Sequence, residues 1–294
     1  MVVVSFVEML SKMSEILIPK KNVILDSQIL STLMSCAALT NFRFNYHFQS
    51  INGRPVHFEM GSIVHKFLEV YYGSIINGIR KADAVGYGMI AALEHSNSDE
   101  VTNASDEERK WALATCEQYI EYYKNDHWVP LEVEVVKGEI LYEDDEIRIM
   151  WKAKLDLISD TNQGIFPVDH KTMKQRRNTL NLNNQFIGQC VLLKTRKMFV
   201  NKIGFQTSLK PEEKFTRASI DYSHDTLIEW QSVILPYWAK TMLMYDETGY
   251  WPPNFTHCEN KYGFCQFKDV CSSPRNLREE TLGQLFKVGE PWNI

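Results

Sequence analysis

The sequence predicts an α/β protein in which a central β-sheet is flanked by helices from both ends of the chain. Between about residues 131 and 172, apolar and polar side chains alternate with a period of two, which is typical of β-strands. Before and after this stretch, over about 27–125 and 225–245, apolar residues recur at helical spacing. A chain of 294 residues can form one large domain. We therefore expect a single domain over 1–294, with its core at about 130–210.

The composition is that of a globular protein with a small excess of negative charge. Hydrophobic residues make up 44% of the chain and charged residues 23%, and the formal net charge is -5. This charge gives no overall attraction to nucleic acid, so any such contact has to come from local basic groups. No run of about 18 uncharged apolar residues is present, and Glu8 interrupts the apolar start before a signal-peptide core could form. We therefore expect a cytoplasmic protein that does not contact a membrane.

Four helices are predicted in the N-terminal flank. The first follows Ser27, a residue type typical of a helix N-cap. The second extends over about 61–76 and carries His65. Residues 84–124 form the last two helices, the second of which can be capped by Ser105.

The central strands form a predicted β-meander. Its last hairpin joins a strand over 147–158 to a strand over 165–172 through a short polar turn. If these strands pair symmetrically about the turn, Asp156 lies directly opposite Asp169. Side chains two apart on a strand point the same way, so Asp169 and Lys171 share a face. The hairpin therefore brings two carboxylates and an amine together.

A β-α-β unit and a last helix are predicted downstream. The unit consists of the strand that ends near residue 172, a helix over about 180–197 and a strand over 199–209. Gln185 lies on this helix. The last helix, over about 225–245, is interrupted at Pro236.

The two aspartates and the lysine of the hairpin are the strongest candidates for chemistry. The carboxylates of Asp156 and Asp169 are hard ligands that suit Mg²⁺ or Mn²⁺. Such an ion lowers the pKa of a bound water, and the Lys171 ammonium can orient that water during attack on a phosphodiester. The alternative is that all three are ordinary solvent-facing charges at strand ends. Nothing in the sequence selects among three further acidic candidates on neighbouring strands: Glu132, Glu134 and Glu139.

Two basic clusters and one aromatic segment have open interpretations. Each cluster can either contact nucleic acid or form a solvated basic face. The aromatic segment can stack on unpaired bases, although a core role is favoured for most of its members. The clusters are Lys171, Lys174, Arg176 and Arg177, and Lys194, Arg196 and Lys197; the segment contains Phe42, Phe44, Tyr46 and Phe48 with Arg43.

Four of the six cysteines are candidates for a metal centre. Cys258, Cys265 and Cys271 lie close together, and in a chain without a secretion signal this favours metal binding over disulfides. Cys36 is the candidate for the distant fourth ligand. A zinc ribbon normally uses two close pairs, so the split of one and three favours an iron-sulfur cluster, although the spacing alone does not exclude zinc. The other two cysteines have apolar neighbours and are expected in the core: Cys116 and Cys190.

Taken in order, these motifs resemble the PD-(D/E)XK nuclease superfamily. In that superfamily an Asp on one strand and an Asp/Glu-x-Lys on the next form the active site, and Asp156 and Asp169-His170-Lys171 resemble this pattern. The segment Gly61-Ser-Ile-Val-His65 is similar to the Gly-x-x-x-His helix of its RecB-like branch.

Gln185 matches the start of the Gln-x-x-x-Tyr motif of the same branch, but position 189 is glutamine rather than tyrosine. The resemblance implies that Lys171 handles the water and that Gln185 positions the water or the substrate. It also implies the ligands of a Mg²⁺ or Mn²⁺ ion: His65, Asp156, Asp169 and the backbone carbonyl of His170.

The cysteines resemble those of RecB-like nucleases that carry an iron-sulfur staple, such as the AddB-type helicase-nuclease subunit and the nuclease of CRISPR spacer acquisition. The resemblance implies a [4Fe-4S] cluster that joins the N- and C-terminal flanks. The gap between Cys258 and Cys265 is wider than is usual in that group, which points to a viral or stand-alone member. Its implied ligands are Cys36, Cys258, Cys265 and Cys271.

The implied activity is a metal-dependent DNA exonuclease that acts on single strands or DNA ends. Recombination, repair and phage- or CRISPR-related DNA processing are the implied settings, in a prokaryotic cell or a phage-infected host, with recombination or replication proteins as possible partners. Two alternatives stay open. One is a DNA-binding scaffold that keeps the fold but does not cut, and the other is a zinc-stapled nucleic-acid-binding protein.

Overall fold

The computed structural model describes residues 20–52, 55–173, 182–206, 208–260 and 263–293. Its strands are β1 (Lys21–Leu25), β2 (Phe48–Ser50), β3 (Val129–Glu143), β4 (Ile147–Thr161), β5 (Gly164–Met173), β6 (Lys197–Gly204), β7 (Phe215–Asp221), β8 (Glu259–Asn260), β9 (Gly263–Phe264) and β10 (Phe286–Val288). Its α-helices are α1 (Ser27–Ser35), α2 (Ala37–Thr40), α3 (Val56–Ile76), α4 (Lys81–Ser96), α5 (Asp106–Tyr122), α6 (Asn184–Leu192), α7 (Pro211–Lys214), α8 (His224–Glu229), α9 (Leu235–Thr248), α10 (Lys268–Ser272) and α11 (Arg278–Leu285).

Six of these strands form one mixed sheet. Its order is β1-β4-β5-β6-β7, and β3 pairs along the other edge of β4. The pairs of β4 with β3 and β5 are antiparallel, whereas β5 and β6 are parallel and are joined through α6. The predicted mixed sheet flanked by helices is therefore confirmed, as is the β-α-β unit. The short strands β1 and β7 lie outside the predicted strands.

The sheet has a hydrophobic core on each face. Successive residues of β6 alternate between the two cores, with Met198 and Val200 in one and Phe199 in the other. The first core packs α1, α6 and α8–α9 against the sheet around Trp151. The second packs α3, α4 and α5 around Phe67. The candidate site residues described below lie where α3 and α6 approach the middle of this sheet.

The N-terminal helices begin at different residues from those predicted. The side chain of Asp26 accepts two backbone N–H groups of the first turn of α1, so Asp26 rather than Ser27 is the N-cap. The helix that carries His65 begins at Val56, before the predicted start at Gly61. The predicted cap at Ser105 is confirmed, because Ser105 and Glu108 form a reciprocal capping box at the start of α5.

The helix of the β-α-β unit is shorter than predicted, whereas the last helical region is slightly longer. Asn183 caps α6 at its start, and Lys194 takes a left-handed backbone conformation just after its end. A π-helical turn over Trp230–Ile234 precedes Pro236 in the last helical region. Proline cannot donate a backbone hydrogen bond, so the predicted interruption takes the form of this wider turn.

A third, smaller core joins a segment of the N-terminal flank to a segment of the C-terminal flank. β10 pairs with β2, and Phe267, Val270 and Phe286 form the centre of this core. Phe42 stacks on Phe267 with ring centroids 4.9 Å apart. The core interpretation is thus confirmed for most of the aromatic segment. Its four aromatic residues are Phe42, Phe44, Tyr46 and Phe48, and of these only Tyr46 is more than half exposed.

None of the helices in the described ranges combines the length and the hydropathy that a membrane span requires.

Candidate active site

The predicted register of the β4–β5 hairpin is confirmed. Thr161 pairs with Gly164 and Leu157 with Val168, so the two aspartates lie one residue beyond the last pair. At this point β5 leaves β4 and begins to pair with β6. The carboxylate of Asp156 still reaches β5, because its Oδ2 accepts the backbone N–H of His170 at 2.7 Å.

Asp169, Lys171 and Gln185 form one hydrogen-bonded group. Lys171 Nζ lies 2.8 Å from Asp169 Oδ2 and donates to Gln185 Oε1 at 3.0 Å. Gln185 Nε2 in turn donates to Asp169 Oδ1 at 2.7 Å. Asp169 is fully buried, so these contacts hold a carboxylate that water does not reach. Gln185 therefore fixes both the acid and the amine.

Gly188, one turn beyond Gln185, explains how α6 comes close enough to make these contacts. A Cβ at Gly188 would overlap the indole ring of Trp151 on β4. Gln189, which stands where the family motif has tyrosine, is buried, and its Oε1 has no hydrogen-bond partner among the described residues. Its role as a replacement for the tyrosine stays a prediction.

The imidazole of His65 approaches the aspartates from α3. His65 Nδ1 lies 3.8 Å from Asp156 Oδ2, and its ring makes no hydrogen bond within the described residues. α3 can pass close to β5 because a Cβ at Gly61 would lie only 2.7 Å from Thr172 Oγ1. The glycine of the Gly-x-x-x-His segment thus sets the distance at which the histidine is presented.

Glu134 is the glutamate that the structure brings to this site. One donor atom each from His65, Glu134 and Asp156 lie within 4.8 Å of one another. The register of β3 against β4 puts Glu134 opposite Asp156. The other two candidate glutamates pair with lysines elsewhere: Glu132 with Lys137 and Glu139 with Lys194.

The side chain of His170 belongs to a buried polar network rather than to the site itself. Its ring stacks in parallel on Tyr72 with centroids 5.8 Å apart, and its Nδ1 accepts from Asn201 Nδ2 at 2.9 Å. Asn201 also donates to the Tyr119 hydroxyl at 2.7 Å. Burial lowers the pKa of His170 well below its usual range, which keeps the ring neutral. This network, which the sequence does not reveal, anchors the β5 backbone between Asp169 and Lys171.

The site concentrates negative charge in a poorly solvated place. Burial and, after it, the charge of Asp169 raise the pKa of Asp156 to about 6. Burial lowers the pKa of Lys171, but the carboxylates of Asp169 and Asp156 outweigh that effect and raise it overall. Lys171 therefore stays an ammonium ion, and Asp156 gains from any further positive charge placed beside it.

The four candidate cluster cysteines come from two distant segments of the chain and lie together in the structure. They line a single cavity whose wall includes Leu39, Phe42 and Phe267. The backbone N–H of Asn254 points at Cys36 Sγ from 3.3 Å. All four are partly exposed free thiols, whereas the two cysteines predicted to lie in the core are buried, as expected: Cys116 and Cys190.

The two basic clusters lie in different parts of the chain. In the first, Lys174, Arg176 and Arg177 lie outside the described residues. In the second cluster, Lys194 Nζ lies 3.1 Å from Glu139 and Lys197 packs its ammonium over the Phe199 ring at 5.4 Å. Contact of these residues with nucleic acid stays a prediction.

Comparison with known proteins decides the family. Residues 28–272, which contain every motif described above, match the family model of the PD-(D/E)XK nuclease superfamily. The chain belongs to this superfamily.

A search of curated proteins finds no match. Among solved structures, a protein from Eubacterium rectale named "Putative exonuclease" is similar, with 14% identity, a TM-score of 0.45 and coverage of 88% of this chain and 93% of its own. SSO0001 is similar with 12% identity, a TM-score of 0.34 and coverage of 76% and 98%.

PD-(D/E)XK nucleases use divalent metal ions, and the donor set of this chain suits one. Carboxylate oxygens and a neutral imidazole are ligands that Mn²⁺ accepts, and Mg²⁺ accepts the oxygens. The imidazole nitrogen and two of the carboxylates lie within 4.8 Å of one another, with Asp169 beyond Asp156 on the next strand. The buried negative charge around Asp156 gives a cation a physical reason to bind there.

Proposed function

We propose that this member of the PD-(D/E)XK superfamily is a divalent-metal-dependent DNA exonuclease that acts on single strands or DNA ends. One observation carries the proposal: beside Asp156, the contacts among Asp169, Lys171 and Gln185 join a buried carboxylate to a fixed ammonium. In such a pairing the carboxylate can bind a cation while the positioned amine orients the attacking water, which supports phosphodiester hydrolysis. The choice of DNA ends follows the resemblance to the RecB-like branch.

Each residue of the site has a defined task in this proposal. His65, Asp156, Asp169 and the backbone carbonyl of His170 hold the ion. When bound, Mg²⁺ or Mn²⁺ supplies Lewis-acid activation of a water and neutralises phosphate charge. Lys171 donates hydrogen bonds that orient the water and counter the charge that develops on the phosphate. Gln185 keeps Lys171 and Asp169 in place, so its contribution is positional.

We propose further that Cys36, Cys258, Cys265 and Cys271 bind a [4Fe-4S] cluster. Their convergence on one cavity supports this. The split of one cysteine before the nuclease core and three after it favours a cluster, which takes its thiolates on separate irons, over a zinc ribbon built from two close pairs. The cluster would join α1 to the segment after α9.

A nuclease assay tests the first proposal. Anaerobically purified protein should degrade end-labelled single-stranded DNA in the presence of Mn²⁺ or Mg²⁺, and substrates blocked at either end should reveal its polarity. Lys171→Ala should remove the activity, whereas Lys137→Ala should not, because Lys137 is a partly exposed lysine on β3 that pairs with Glu132 away from the site. Equal cleavage by the wild type and Lys171→Ala would overturn the mechanism.

Metal analysis tests the second proposal. The expected result is a brown protein with about four irons and about four sulfides per chain, the content of a single cubane cluster. Stoichiometric zinc with no sulfide, in protein purified without oxygen, would contradict it.

A further inference from the structure

Glu134 lies beside two of the proposed metal ligands but is not itself among them. Its carboxylate shares a 4.8 Å neighbourhood with His65 and Asp156. Asp169 stands on the opposite side of Asp156, one strand further across the sheet, and both of its oxygens already contact Gln185 and Lys171. A cation at Asp156 therefore meets carboxylate oxygens that are already engaged on the Asp169 side, and on the other side it meets the His65 imidazole and the Glu134 carboxylate.

The carboxylate of Glu134 already forms an ion pair with a lysine. Lys154 Nζ lies 2.6 Å from Glu134 Oε2, and Lys154 precedes Asp156 by two residues on β4. The lysine side chain is 53% exposed, whereas that of Glu134 is 16% exposed. An exposed lysine can swing into solvent at little cost, but the half-enclosed carboxylate stays beside Asp156 and His65.

The backbone also holds Glu134 at this place. Its φ is +49°, in the left-handed region that residues other than glycine seldom adopt. The neighbouring pairs Val133–Leu157 and Val135–Leu155 keep the strand in register on both sides. The backbone from which the Glu134 side chain starts is thus fixed beside Asp156.

We propose that Glu134 is a ligand of the divalent ion at Asp156, and that Lys154 is a tethered ammonium that occupies Glu134 until the ion displaces it. The inference rests on the proposed function, because it concerns the ion of that same site. It assigns opposite effects to two residues in contact. Glu134 supplies charge and an oxygen ligand, so its loss weakens binding, whereas Lys154 competes with the ion, so its loss strengthens binding.

Direct binding of Mn²⁺ to the protein as purified, without DNA, tests the proposal, with free Mn²⁺ followed by electron paramagnetic resonance. Glu134→Gln should raise the Kd about tenfold or more, and Lys154→Met should lower it about threefold or more, the range expected for removal of a charged ligand or competitor. Glu132→Gln is the matched control, because it breaks the comparable Lys137 pair on the same strand and should leave the Kd unchanged. Lys152→Met on β4 is the control for the lysine.

The outcomes separate this inference from the proposed function. If Glu134→Gln binds Mn²⁺ like the wild type while Asp156→Asn does not, the inference is wrong, and the nuclease assay with Lys171→Ala still decides the function. If the wild type does not cut DNA but Glu134→Gln and Lys154→Met shift the Kd in opposite directions, the inference stands and the function falls. An unchanged or raised Kd in Lys154→Met removes the role given to the lysine.

Discussion

Asp156→Asn should stabilise the metal-free protein while it destroys the site. Burial and the charge of Asp169 raise the pKa of Asp156 from 3.8 to about 6. Above pH 6 the folded protein therefore carries a carboxylate whose ionised form is less favourable than in the unfolded chain. A difference of this size corresponds to roughly 3 kcal/mol of lost stability at pH 7.5. Asparagine removes the charge and keeps an oxygen that can accept the N–H of His170.

The pH dependence gives the test its sign. A carboxyl group whose pKa is higher in the folded state than in the unfolded chain lowers stability only once the pH exceeds its pKa in the unfolded chain. The whole effect is present once the pH exceeds its pKa in the folded protein. The advantage of Asp156→Asn should thus be about 3 kcal/mol at pH 7.5 and small at pH 4. Saturating Mn²⁺ should reverse the order at pH 7.5, because only the wild type binds the ion tightly.

Equilibrium urea unfolding in EDTA measures both values. Asp160→Asn is the matched control, since Asp160 lies on the same strand and is exposed. It should change stability by less than about 0.5 kcal/mol at either pH. If Asp156→Asn is no more stable than the wild type at pH 7.5, or if its advantage is the same at pH 4, the electrostatic reasoning is refuted.

Three further predictions concern the packing around the site and the candidate cluster cysteines. Gly188→Ala should cost about 1–3 kcal/mol in urea unfolding and lower kcat, because the added methyl group meets Trp151 and pushes α6 away. Its control is Gly86→Ala, exposed on α4 with open space around it, which should stabilise the protein by up to about 1 kcal/mol. Asn201→Leu should cost about 1–3 kcal/mol, because it leaves the buried Nδ1 of His170 without its hydrogen-bond partner, while the Tyr119 hydroxyl keeps its contact with Tyr72. A loss below about 0.5 kcal/mol would show that the network is not structural. Cys36→Ser should abolish iron binding and make the C-terminal segment after α9 sensitive to protease, as measured by iron content and limited proteolysis; retention of full iron would exclude Cys36 as a ligand.

The residues on the β4–β5 hairpin could be found from the sequence because the information is local. A tight turn fixes the register of a hairpin, and the symmetric pairing about that turn puts Asp156 beside Asp169. The spacing of Asp169 and Lys171 fixes their common face in the same way. Their roles in catalysis stay a prediction.

Glu134 could not be selected because a β-bulge intervenes. Near the β3–β4 turn, Glu143 pairs with Arg148, and this register carried along the strands would put Val135 opposite Asp156. A register shift between Ile140 and Tyr142 moves the pairing by one residue and brings Glu134 there instead. Since a shift of one residue exchanges the two faces of a strand, the choice among the glutamates depended on this irregularity.

The sequence by itself determined the elements whose signals are short-range: the meander, the flanking helices, the hairpin with its two aspartates, and the burial of Cys116 and Cys190. The tertiary structure alone decided which distant groups meet. Gly61 and Gly188 let α3 and α6 approach the sheet, the bulge in β3 presents Glu134, and the third core gathers Cys36 with the later cysteines. These outcomes depend on packing between segments far apart in the chain, and periodicity along one segment carries no record of such contacts.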